Sequence, residues 1–204
     1  MRPALSLFVL LGACAVQGGS FRSGGVPLDE TWVGPGDTAE PPIDDHDLLD
    51  CMARGGVDEV GGAAPPDLQG DYTVAGQLVA SDSDVPVGSA TGGQVCLSDQ
   101  GADGTIALRE RAAGVSTWSV RGLIRGDGAR FTLWLELEGD DPHDADCLVR
   151  SLGVVSGERV GDDLEIRTAT VPVAYEDCEG YAPDTLGACW ATAASATRVG
   201  DCGD

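Results

Sequence analysis

From Asp67 onward the chain alternates, and an alternating chain has few ways to fold. Tyr72, Val74, Gly76 and Leu78 are apolar or small, and Asp71, Thr73 and Gln77 between them are polar. That two-residue period belongs to a strand with one buried face. Ala129 to Glu138 repeats it, with Phe131, Leu133, Leu135 and Leu137 facing one way and Arg130, Thr132, Trp134, Glu136 and Glu138 the other. Val95 to Leu97, Thr105 to Arg111, Val115 to Ile124, Cys147 to Val155, Asp162 to Val173 and Ala188 to Val199 are further strand candidates, and Trp118, Val120 and Ile124 are expected on one face. Gly126-Asp127-Gly128 and Gly157 to Gly161 supply tight turns. About eight sequence-adjacent strands joined by turns predict an all-β domain over residues 67–204, a small antiparallel up-and-down barrel with a β-sandwich as the alternative.

Ahead of the strands, residues 43–66 read as a short helix and a spacer. In Ile43 to Arg54, Asp44 is placed to accept the free N–H groups of the first turn, Asp47 and Arg54 suit the two ends of the helix dipole, and Gly55-Gly56 ends the helix. Leu48, Leu49 and Met52 form its apolar stripe, with Cys51 beside them. Gln17 to Pro42 holds six glycines and four prolines in 26 residues. Such a segment has little to bury and reads as a flexible tether over 14–42. Trp32 punctuates that tail.

Residues 1–13 have the three parts of a secretory signal: Arg2, an apolar run from Ala4 to Leu11, then small residues. The apolar run is far shorter than the roughly 20 residues a membrane span requires. Leu11-Gly12-Ala13-Cys14 resembles the lipobox of bacterial lipoproteins, in which the cysteine is acylated and the peptide is cut just before it. The resemblance implies lipid attachment at Cys14, and Ala15 after it implies an outer-membrane address. Ala13-Cys14-Ala15 also fits an Ala-x-Ala site, whose cleavage gives a secreted soluble protein. On either reading Cys51, Cys96, Cys147, Cys178, Cys189 and Cys202 remain, an even set that reads as a disulfide framework in an oxidising compartment. Cys178 with Cys189 closing a loop, and Cys51 or Cys202 tying down a terminus, are the pairings that spacing suggests.

Net charge is −22, with 34 acidic residues against 12 basic ones, every one of them Arg. That surface repels nucleic acid and anionic lipid, so the expected membrane contact is the lipid anchor, and the protein or small-molecule partner stays open. Asp99 to Glu110 resembles an EF-hand calcium loop, with acids at its first, fifth and twelfth positions and Gly104 at the sixth. Asp99, Asp103 and Glu110 are therefore the candidate calcium ligands, and calcium the only cofactor to consider. Asp140 to Asp146 and Asp82-Ser83-Asp84 are lesser acidic loops. No Gly-x-Ser-x-Gly or Ser-x-x-Lys is present, and the histidines are His46 and His143 alone. No catalytic residue is assigned. The functional expectation is a lipid-anchored envelope lipoprotein serving as a binding or structural module, not an enzyme; a calcium-binding domain and an envelope hydrolase are the alternatives. The faces carrying Trp118 and Phe131 either line a ligand cavity or fill the core.

Overall fold

The computed structural model describes residues 43, 45–112, 115–140, 147–176 and 185–203. Helix α1 (His46–Gly55) precedes a two-residue strand β1 (Ala63–Ala64) and eight longer ones: β2 (Gly70–Ser81), β3 (Ala90–Ser98), β4 (Ala107–Ala112), β5 (Val115–Asp127), β6 (Arg130–Asp140), β7 (Leu148–Val160), β8 (Asp163–Glu176) and β9 (Trp190–Gly200). Each of β2 to β9 pairs antiparallel with its sequence neighbour, and β9 returns to pair with β2. The result is a closed, eight-stranded up-and-down barrel. The sandwich alternative is thereby set aside, because closure satisfies the edges a sandwich leaves open.

Inward positions follow the alternation. Tyr72, Val74, Val95, Leu97, Leu108, Ile124, Phe131, Leu133, Leu135, Leu137, Val155, Leu164, Ala194 and Ala196 form one buried cluster inside the barrel. A register shift between Ser119 and Arg121 interrupts β5. This β-bulge reverses the facing of residues across it, so Trp118 and Ile124 do not share a face as expected. Ile124 is buried in the interior cluster, and Val120 is exposed. Ser119 Oγ accepts the Leu108 N–H at 2.8 Å, beside the bulge.

A second apolar cluster lies outside the barrel, where α1 covers β8 and β9 and touches β2 and β7. Asp45, not Asp44, caps the helix, its Oδ1 accepting the Leu48 N–H at 2.9 Å. Leu48, Cys51, Met52 and Gly55 form the buried stripe, while Leu49 is exposed, against expectation. Gly55 explains the close approach, since a Cβ there would lie 2.5 Å from the Cβ of Ala191. Arg54 donates two hydrogen bonds to Asp82, at 2.9 and 2.6 Å, and Asp82 also accepts the Cys189 N–H. These bonds hold the Asp82 carboxyl below the usual carboxylate range, the Arg54 bond foremost.

After the helix, the spacer runs down the outer wall. Val60 N–H donates to Thr132 Oγ1, and Ala63 and Ala64 pair in parallel with Gly126 and Asp127, a short strand that the sequence pattern does not announce. Leu68 then plugs that end of the barrel, fully buried in the interior cluster, with Tyr72 Oη donating to its carbonyl at 2.9 Å. Gln100 fixes the plug from both sides, accepting from Leu68 N–H and donating to the Pro66 carbonyl.

Disulfides join Cys51 to Cys189 and Cys96 to Cys202. The first overturns the expected Cys178–Cys189 loop: α1 brings Cys51 to the start of β9, within a Cα distance of 5.2 Å. Cys51 and Cys202 do tie down the two ends of the domain. Cys147 is also disulfide-bonded, its partner being outside the described residues, as Cys178 is. This usage fits an oxidising, extracytoplasmic compartment. Cys14, Trp32 and the tether lie outside the described residues as well.

Gly55→Ala is expected to push α1 off β9 and lower the unfolding free energy by about 1 kcal/mol or more, overpacking outweighing the better helix propensity of alanine. Urea denaturation checks this, and a more stable variant would contradict the close packing.

Candidate functional site

The interior changes character along the barrel axis. Near the Leu68 plug it is apolar and filled, leaving a cavity of about 30 Å³ lined by Tyr72, Val95, Leu108, Phe131, Val155 and their neighbours. Of the two expected cavity faces, that of Phe131 is packed core. Trp118 instead lies on the outer wall, beside Arg109 and Arg111 in a shallow surface groove.

Toward the other end the inward positions turn polar and small. β3 contributes Thr91 and Gly93, β4 Glu110, β5 Thr117, β7 Ser151 and Gly153, β8 Thr168 and Thr170, and β9 Thr192. Register places them inward: Glu110 lies two residues from Leu108 on β4 and directly across from Thr117 and Val95. Ser151 pairs with Leu137, and Thr170 with Gly153. Trp190, at the start of β9, pairs with Thr170 and is nearly buried.

Thr168 and Thr192 bond to each other at 2.7 Å. Others find nothing. Thr91 Oγ1, both carboxyl oxygens of Glu110, Ser151 Oγ and Thr170 Oγ1 are buried with no hydrogen-bond partner among the described residues. An unpartnered buried hydroxyl costs about 1 to 3 kcal/mol, and a carboxylate costs more. Glu110 is only 5% exposed, and burial alone pushes its carboxyl up to about 8. A Cβ on Gly93 would lie 3.1 Å from Ala112 Cβ and 3.2 Å from Arg111 O, and one on Gly153 3.1 Å from Leu137 Cδ1, so both glycines answer to backbone and apolar packing, with Glu110 Oε1 and Thr170 Oγ1 at ordinary contact distances of 3.5 and 3.6 Å.

The chamber redefines the calcium candidates. Glu110 faces into the barrel, whereas Asp103 sits in the exposed β3–β4 connection, where its Oδ1 accepts from Thr105 N and Oγ1. Asp99 adopts a left-handed backbone (φ 55°) and accepts from Ser98 Oγ. Among the described residues no three His, Cys, Asp or Glu side chains gather as a metal-holding group. Asp82 is engaged by Arg54, the 141–146 part of the second acidic loop and His143 lie outside the described residues, and His46 is exposed on α1. The chamber's hydroxyls were missed in the sequence. The signal was present in Leu108-Arg109-Glu110-Arg111-Ala112, where alternation puts Glu110 in phase with Leu108 and Ala112.

Thr170→Val removes an unpartnered hydroxyl at nearly constant volume, so it is expected to raise the unfolding free energy by about 1 kcal/mol; a destabilised variant would show that the hydroxyl is bonded. Glu110 gives a second test. Its folded pKa is raised, so between an unfolded value of 4.5 and about 8 the native state holds the extra proton, and its stabilising contribution is lost as pH rises. Stability of the wild type is expected to fall over that range by up to about 1.4 kcal/mol per pH unit more than that of Glu110→Gln. Parallel melting curves for the two proteins from pH 5 to 8 would contradict the burial of an unpartnered carboxyl.

No family model, curated protein or solved structure matches the chain, so the chemistry of this chamber is the guide to its use.

Proposed function

We propose that the protein is a lipid-anchored extracytoplasmic binding module: Cys14 carries the lipid, residues 14–42 form the tether, and the barrel takes a small ligand into its polar half. One observation carries the binding half of this reading. Four buried side chains within a single stretch of barrel interior, Thr91, Glu110, Ser151 and Thr170, lack partners among the described residues. A protein selected for stability alone replaces such groups by apolar ones of the same shape, whereas a ligand site leaves them waiting. The packed apolar half and the Leu68 plug support a receptacle with one closed end.

The anchor rests on the lipobox resemblance at Leu11 to Cys14, and the extracytoplasmic placement on the disulfides of the domain. Placement at the outer membrane follows from Ala15 on the same resemblance. If Cys14 carries lipid, Cys178 is the one cysteine left for Cys147. The order along the chain agrees, since Leu148 pairs with Glu176 at the end of the β7–β8 ladder, with Cys147 just before the first and Cys178 two residues after the second in sequence.

Intact mass spectrometry of the protein from its native envelope tests both halves. The expected result is a chain beginning at acylated Cys14, a Cys147–Cys178 peptide before reduction, and a small molecule released on denaturation. An unacylated chain beginning at Val16 would refute the anchor and make the protein secreted. Release of nothing from any preparation would count against the binding reading.

A further inference from the structure

The identity of the unpartnered groups narrows what the chamber can take. Hydroxyls both donate and accept, but an ionised carboxyl only accepts. Among the described residues no cation faces Glu110. Its own strand sends Arg109 and Arg111 to the outer wall; β3 and β5 offer it Thr91, Gly93, Val95 and Thr117; and β7, β8 and β9 offer Ser151, Thr168, Thr170 and Thr192. The titratable inward groups are otherwise Tyr72, at the plugged end, and Tyr175, whose hydroxyl is bonded to Thr185. A ligand that completes this site brings positive hydrogen-bond donors.

Charge around the chamber points the same way. Asp84, Asp140 and Glu176 are exposed at the end of the barrel where the polar half lies. Two arginines near that end are already engaged, Arg54 by Asp82 and Arg150 by Glu138 and Glu176. With a net charge of −22, the protein's field draws cations and repels anions. Calcium is a poor fit, because it wants six to eight oxygens, usually from several carboxylates, and the described interior presents one.

Resting on the binding reading above, we propose that the ligand is a small organic cation bearing a primary ammonium group. The ammonium forms a charge-assisted hydrogen bond with the Glu110 carboxylate and donates its remaining hydrogens to hydroxyls among Thr91, Ser151 and Thr170. Trp190, in register with Thr170 on the neighbouring strand, is an aromatic residue of the kind that attracts a cation. Three donors on one nitrogen match one carboxylate flanked by acceptors, and the pair satisfies groups that otherwise stand alone. Binding requires Glu110 to ionise. Since burial holds its carboxyl protonated at neutral pH, uptake of the cation releases a proton, and affinity rises with pH up to about 8.

Isothermal titration with n-propylammonium chloride, and with 1-propanol as the neutral match, tests this. The wild type is expected to bind the ammonium saturably, about tenfold more tightly for each pH unit between 6 and 7, with a heat that varies with the buffer because a proton is released. Glu110→Gln is expected to fold, as its melting curve will verify, and to lose the affinity at least tenfold; Thr170→Val retains the pH dependence while binding more weakly. Propanol bound as well as the ammonium, or ammonium affinity unchanged in Glu110→Gln, would overturn the cation while leaving the binding reading intact. Saturable binding of sodium or calcium to Glu110 in place of the ammonium would overturn it in favour of a metal. If neither organic probe binds and a crystal structure shows fixed waters joining Glu110 to the hydroxyls, both the cation and the binding reading fall.

Discussion

The pairing of β9 with β2 closes the barrel, and the rest of the molecule is arranged around keeping β9 in place. Cys189, just before it, is tied to α1, and Cys202, just after it, is tied to Cys96 on β3. The links span 138 and 106 residues. Loops of that length give about 4 to 5 kcal/mol each in the chain-entropy account. Gly55 lets the helix sit directly against Ala191 on the outer side of the same strand. Closure depends on the last strand of a long non-local fold, and both described disulfides act there.

A wall held this firmly can tolerate an interior that works against stability. The half nearest Leu68 is ordinary close-packed core, and it supplies the hydrophobic stabilisation. The other half trades packing for unpartnered hydroxyls and a carboxyl that burial keeps protonated. Such a division, a rigid apolar floor beneath polar groups that lack partners, is what a binding site requires and a purely structural barrel does not.

Much of this was legible in the sequence because a strand's period is short and local. All eight barrel strands follow from alternation and turn glycines, and the helix follows from its terminal glycines and from Leu48, Cys51 and Met52, though its cap is Asp45 where Asp44 was expected and Leu49 is exposed. What was not legible depended on distant partners. The bulge at Ser119 and Arg121 reverses the facing of Trp118 relative to Ile124 without any marker in composition. The pairing of Cys51 with Cys189 required knowing that α1 lies on β9. Glu110 was readable as an inward residue by alternation, yet the same twelve residues also fit a calcium loop, and spacing alone could not choose between a ligand on a loop and a side chain inside a barrel. Which polar groups stay unpartnered is a property of the assembled interior and has no local signal.

The account turns on the state of one carboxyl. Its titration can be followed directly by carbon-13 NMR of the Glu110 side chain in the ligand-free, folded protein. A midpoint near the burial-raised value of about 8 is predicted. A midpoint near the ordinary 4.5 would contradict it, showing Glu110 to be solvated or paired and the chamber not to be the site described.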